Sequence, residues 1–269
     1  WILPAVVVVA GALWLAAPWA VGVVARHELA AAGLGPARLT VNGLGLHQTV
    51  LTGVRLGDKA PIEADRVTLD YAPLDLLKGH VEAVQVDGLR LPVRLTPAGW
   101  QAGPLNLSGS GTGSGGMPLQ LDRLELKDAV VALGSPYGMV DVTANGTLRQ
   151  PLSPQQAEGK LDLALQGDSA GGHAEATLQS GGAVQIQLNG ARLAWSGTTA
   201  SGIAGRITAR RGAEPWMAPQ ADLTIAEVAA PDLPLKDLTL HLATGADQVQ
   251  ATLAASTPGG PLTLAATLT

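Results

Sequence analysis

Two patterns of apolar and polar positions divide the chain. From Ile2 to Ala25 the sequence reads ILPAVVVVAGALWLAAPWAVGVVA, with no charged or strongly polar side chain. A bilayer core takes roughly 20 apolar residues as helix, so the run predicts a transmembrane anchor helix over 2–25. A helical extension continues to 34, at the Gly33-Leu34-Gly35-Pro36 stop. The anchor rests on Ile2, Leu3, Val6, Leu13, Trp14, Leu15, Trp19, Val21 and Val24, with the two tryptophans suited to an interface. Pro18 bends such a helix, which a membrane span tolerates. The competing reading is a cleaved signal peptide ending at Val23-Val24-Ala25. Its apolar region would be about 7–15 residues, and this run is longer.

From Arg38 onward the period changes to two. Leu89, Leu91, Val93 and Leu95 alternate with Arg90, Pro92 and Arg94. Val67 and Leu69 belong to an earlier run of the same kind. Further on, Leu161, Leu163 and Leu165 alternate with Asp162, Ala164 and Gln166, and Val184, Ile186 and Leu188 with glutamines. Leu238, Leu240 and Leu242 alternate with Thr239 and His241, and Leu262, Leu264, Ala266 and Leu268 with Thr263, Ala265 and Thr267. Period-two patterning predicts strands with one apolar and one polar face. Asn42-Gly43, Asp87-Gly88, Asn145-Gly146 and Asn189-Gly190 read as hairpin turns between them. Short spacing and tight turns favour an antiparallel meander. A short helix is expected at 73–78. The Gly/Ser-rich stretch 101–117 reads as a linker or exposed loop, separating an N-terminal β unit over 36–100 from continuing strands over 118–269.

These strands pose a problem of cover. Each carries an apolar face, yet amphipathic helices to lie over them are missing from the pattern. Aliphatic surface left in water costs about 25 cal/mol per Å². Composition sharpens the point: aromatic residues are 3 %, with no Phe, so the large side chains that usually fill a thick core are scarce. Either the sheet closes on itself, or it curls into a trough whose apolar face is covered by something else. Beside a membrane anchor, lipid acyl tails are the evident candidate.

Charge and motifs exclude more than they propose. Net charge is −5 without a basic cluster, so a row of phosphates would go unneutralised and nucleic acid is not an expected partner. The chain has no Cys, which rules out disulfides, thiol catalysis and cysteine metal sites. His27, His47, His80, His173 and His241 are scattered without metal-ligand spacing. Gly109–Gly116 lacks the Lys-Ser/Thr of a phosphate loop and reads as linker. Gly134-Ser135-Pro136-Tyr137-Gly138 places its serine one residue early for a nucleophile elbow. Neither catalytic residues nor a cofactor are expected. Arg90 and Arg94 read as edge protection of a strand, with contact to lipid headgroups as the alternative.

The order of segments from Arg38 to Leu95 carries a resemblance. Leu39-Thr40-Val41-Asn42-Gly43-Leu44 and Leu51-Thr52-Gly53-Val54-Arg55-Leu56-Gly57 are followed by Ile62–Tyr71. The turn Leu74-Asp75-Leu76-Leu77-Lys78-Gly79 and the hairpin His80–Leu91 come next. Together with the anchor, this resembles the start of AsmA-like inner-membrane proteins of Gram-negative bacteria, most closely the YdbH-like branch. The detailed likeness covers about a fifth of the chain, and 118–269 agree in texture.

The resemblance implies a bridge-like lipid transfer fold, mainly β. An inner-membrane helix would be followed by an elongated, curled antiparallel sheet forming an open apolar groove in the periplasm. It implies transport of phospholipid between inner and outer membranes, supporting outer-membrane lipid homeostasis. A small outer-membrane lipoprotein is the implied protein partner at a far end that this sequence, read as part of a longer protein, does not reach. The expected groove lining is Val67, Leu69, Leu89, Leu91, Val93, Leu95, Leu161, Leu163, Leu165, Val184, Ile186, Leu188, Leu238, Leu240 and Leu242. Two other readings stay open: an AsmA-like assembly factor for outer-membrane proteins, and a structural or adhesive β-repeat protein with a closed core.

Overall fold

The computed structural model describes residues 37–269 apart from 59, 77, 97–98, 104, 107–119, 136–137, 154, 211–216, 231–234, 245–248, 258 and 269. The expected anchor, from Ile2 to Val24 and on through 34, lies outside the described residues, as does most of the expected 101–117 loop. Among the described residues no helix is long and apolar enough to cross a membrane. What is described is mainly β, in two compact units that divide between Val131 and Ala132.

In the N-terminal unit, β1 (Ala37–Leu44), β2 (Gln48–Leu56), β3 (Ile62–Asp70) and β4 (His80–Asp87) pair antiparallel in sequence order. A single turn of helix, α1 (Pro73–Leu76), stands between β3 and β4, where the sequence predicts a helix to 78. β5 (Arg90–Thr96), β6 (Gly99–Ala102) and β7 (Leu105–Asn106) form a small meander, and Glu63 of β3 pairs with Arg90 of β5. β8 (Gln120–Ser135) then lies parallel to β4, His80 opposite Gln120 and Asp87 opposite Lys127. This parallel pair departs from the all-antiparallel expectation. The excursion from Asp87 to Gln120 is long enough for the crossover that a parallel neighbour requires.

One polar knot pins the β1–β2 turn. Tyr71, 8 % exposed, donates from its hydroxyl to the Gly45 carbonyl (3.0 Å) and shares a hydrogen bond with the buried Thr49 hydroxyl (2.8 Å). Its backbone N–H donates to the His47 carbonyl (2.9 Å). A buried phenol without partners would be costly, so these bonds fix the loop against the strand end.

In the C-terminal unit the chain folds as a meander, each strand antiparallel to the next. The order is β9 (Gly138–Arg149), β10 (Glu158–Gly167), β11 (Ala170–Gln179), β12 (Ala183–Trp195), β13 (Thr198–Arg210), β14 (Met217–Ala229), β15 (Leu235–Thr244), β16 (Val249–Thr257) and β17 (Gly260–Leu268). Register shifts interrupt the ladder at Gly171/His173, Leu188/Ala191 and Ala191/Leu193. Bulges of this kind bend a strand and increase its twist.

The Asn-Gly pairs do not all make turns. Asp87-Gly88 does separate β4 from β5. Asn42-Gly43 and Asn189-Gly190 instead sit inside β1 and β12 at register shifts, and Asn145-Gly146 lies in mid-β9. There the glycine is needed for close approach. At Gly146 (φ +151) a Cβ would fall 2.1 Å from the Lys160 carbonyl oxygen of the neighbouring strand. Among the described residues, positive φ at two successive turn positions occurs at Gly181-Gly182 (φ +88 and +74), between β11 and β12, and at Ser196-Gly197 (φ +44 and +80), between β12 and β13.

Candidate functional site

Register converts the alternation into a surface. Residues opposite one another on antiparallel neighbours share a face, so a row can be followed from strand to strand. Ala144 pairs with Leu163, Leu163 with Ala174, Ala174 with Leu188 and Leu188 with Gly205. The row continues through Leu223, Leu240, Leu253 and Leu264. A second row runs Gly146, Leu161, Ala176, Ile186, Ile207, Ala221, Leu242, Ala251 and Ala266. No polar side chain interrupts either. Eight steps of about 4.8 Å carry each row roughly 38 Å across the sheet.

The opposite face reverses the chemistry. Asn145, Asp162, Glu175, Gln187, Arg206, Asp222, His241 and Thr252 form its corresponding row. Lys160 pairs with Glu175 at 3.0 Å, and His241 contacts Asp222. Cavities of about 480 and 350 Å³ are lined mainly from this polar side, by residues such as Gln185, Thr208 and Gln220 in one and Asp162, His173 and Glu175 in the other. Among the described residues no group of three or more His, Asp or Glu is placed to hold a metal ion.

Burial on the apolar face is graded. Most of the buried apolar residues are alanines, including Ala144, Ala174, Ala176, Ala191, Ala200, Ala221 and Ala255. The larger Leu161, Leu163, Leu165, Val184, Ile186, Leu188, Leu240 and Leu242 are half-buried, while Leu238 is 4 % exposed. Leu264, in the same row as Leu163, is 54 % exposed. Among the described residues no large side chain is fully buried. Small side chains at backbone level are shielded by their larger neighbours, and those neighbours stand partly open.

The N-terminal unit repeats the arrangement on a smaller scale. Val67 pairs with Leu51 and Val86, and Val86 with Leu126; Leu69 pairs with Thr49 and Val84, and Val84 with Leu124. The phase changes along β2, where Val54 and Leu56 lie opposite Ala64 and Ile62 beyond Gly53 (φ +58). On β5, Val93 is buried and Leu91 half-buried while Arg90 and Arg94 are exposed. Leu89 precedes that strand, its carbonyl accepting from the Val130 N–H at 2.6 Å, and Leu95 pairs through its backbone with Trp100.

Register thus joins Leu161, Leu163, Leu165, Val184, Ile186, Leu188, Leu238, Leu240 and Leu242 on one face, and Val67 with Leu69 on a face of the other unit. It also adds residues that the sequence reading did not single out: Ile203, Ile207, Leu223, Ile225 and Leu253. Their signal was present in Leu223-Thr224-Ile225, but glycines break the alternation of β13.

A model of the YdbH-like family, described as intermembrane phospholipid transport protein YdbH, matches residues 5–181, about two thirds of the chain. The chain belongs to the YdbH-like family. Neither a curated protein nor a solved structure matches it significantly. The family's description gives the YdbH-like chain its general function, phospholipid transport between membranes, and phospholipid as its cargo. It describes a transport protein and names no catalytic step.

Proposed function

We propose that this YdbH-like chain is a membrane-tethered section of a phospholipid conduit between inner and outer membranes. Acyl tails lie on the apolar face of the β sheet, and headgroups stay at its wet margin. The observation that carries the reading is the pair of uninterrupted apolar rows from β9 to β17. A contiguous apolar surface of several hundred Å² on a folded chain marks an interaction site. Lipid tails have no hydrogen bonds to satisfy, so a lining without polar side chains suits them. A sealed, dry core would bury most of its large side chains, whereas on this face Leu238 and Ile203 are buried and Leu161, Leu163, Leu188, Leu240 and Leu242 stay half-buried. The apolar run from Ile2 to Ala25 supplies the inner-membrane tether, which leaves the β body in the periplasm. An outer-membrane lipoprotein would meet the distal end.

Val67, Leu69, Leu91, Val93 and the leucines of β10, β12 and β15 line the path, and no residue performs chemistry on the lipid. The test is phospholipid recovered with the full purified chain, measured by mass spectrometry, against Leu91→Asp and Leu163→Asp. Wild type is expected to retain phospholipid that both variants lose. Wild type that retains no more than the variants would refute conduction along this face.

A further inference from the structure

The two ends of β12 finish the apolar face of the C-terminal unit differently. At one, the terminal positions Leu178 and Val184 are half-buried. At the other, where β12 turns into β13, Leu193 is 45 % and Trp195 43 % exposed. Leu193 pairs with Ala170 and Ala200, and Trp195 with Thr198, so both point to the apolar side. They stand about 6–7 Å apart along the strand. The Ser196-Gly197 turn fixes the end of the hairpin, and the Ala194 N–H donates to the Ser169 carbonyl (2.8 Å), tying it to the β10–β11 turn. Immediately inside lies a buried cluster of Ala191, Ala200 and Ile203, with Leu188, Ile225 and Val228 packed around it. An exposed indole therefore stands at the outer edge of a buried apolar patch of the face.

Indole has an apolar body and one N–H donor, which suits a boundary with one dry and one wet side. We propose that the β12–β13 turn is the lip over which the glycerol–phosphate region of a bound phospholipid rides. Trp195 Nε1 donates to ester or phosphate oxygens, and the upper acyl chain lies against Leu193 and Ile203. The inference rests on the phospholipid reading above and adds which margin carries the headgroup.

Depth-dependent quenching tests it on the full chain. Replacing Trp1, Trp14, Trp19, Trp100 and Trp216 by Phe leaves Trp195 as the sole indole. A second protein with Trp195→Phe and Leu163→Trp added reports from the floor of the lining. Both are loaded with phosphatidylethanolamine brominated either near the glycerol end or near the methyl end of its acyl chains. Trp195 is expected to lose more emission to bromine near the glycerol end, and the floor reporter to lose emission to both. If the floor reporter is quenched while Trp195 is not, or responds more to the methyl-end label, the lip is overturned and the conduit stands. If neither is quenched, both fall. Trp195→Ala and Trp195→Phe in the otherwise native chain give a second readout. Retention lower in both variants than in wild type, and lowest in Trp195→Ala, supports the indole contact, and unchanged retention in both overturns it.

Discussion

Leu238 and Leu264 share one apolar face in different surroundings, and an aspartate at each separates a lipid-contacting lining from a dry interior. Leu238 is 4 % exposed and Leu264 54 %. Truncating a buried leucine costs about 2–5 kcal/mol, and Leu238→Asp also strands a carboxylate opposite Ile225. Its expected cost is at least about 4 kcal/mol, enough to unfold a marginal unit. At Leu264 roughly half of the 1.5–3 kcal/mol of full burial is at stake, and the carboxylate keeps its water, so the cost is about 1 kcal/mol. Against an acyl tail the same carboxylate loses that water, a penalty of several kcal/mol. Phospholipid held at that row should therefore fall at least about tenfold, the equivalent of 1.4 kcal/mol. Urea denaturation of delipidated full chain followed by circular dichroism reads the first quantity, and lipid mass spectrometry the second. Leu264→Asp unfolding as readily as Leu238→Asp would show the row to be a sealed interior. A folded Leu264→Asp that retains wild-type phospholipid would show that the row does not touch lipid.

Other outcomes follow from local geometry, each read from the denaturation midpoint. Tyr71→Phe removes a hydroxyl shared by Thr49 and Gly45 and should cost about 1–2 kcal/mol; no change would mean that water replaces the phenol. Gly205→Ala, whose Cβ would fall 2.1 Å from the Asp222 carbonyl oxygen, should cost about 2–4 kcal/mol. Gly53→Ala, with open space around it, should cost about 1 kcal/mol, and equal losses at the two sites would refute the close-approach argument. Lys160→Met breaks an exposed ion pair with Glu175 and should shift stability by less than about 1 kcal/mol; a larger loss would indicate a role for the polar face beyond solubility.

Strand identity was legible in the sequence because a half-covered strand writes its faces as alternation. Leu161, Leu163 and Leu165 declare one face, and register joins them to Leu238, Leu240 and Leu242 five strands away. The alanines of β11 were harder to assign, since Ala174 and Ala176 fit a strand face, a helix or a loop equally well. Glycine misled in a specific way. Asn145-Gly146 has the composition of a turn, yet Gly146 is where two backbones approach too closely for a Cβ, a condition set by a neighbour far along the chain. The parallel pairing of β4 with β8 was likewise invisible, because alternation fixes faces and says nothing about which strand lies alongside. Ile203 and Ile207, on a strand whose alternation glycines break, gained their meaning from register alone.

The scarcity of aromatics then has a structural reading. A closed sandwich must fill the space between two sheets, and large rings do that well. On the proposed reading the apolar face of this sheet meets acyl tails instead of a second layer, so its lining needs width and continuity more than bulk. Rows built from Leu, Ile, Ala and Gly provide continuity, since none of these side chains demands a hydrogen bond that would hold a passing tail at one place. The meander adds to this. Each strand pairs with its sequence neighbours, so stability accumulates step by step, and a change in one row need not propagate through the sheet. Against such a lining an exposed tryptophan stands out. Trp195 supplies a donor and a rigid ring at the margin of the face, where a moving lipid would pass from apolar contact to water. Uniform rows with a polar contact confined to the rim would let phospholipid slide while keeping its orientation.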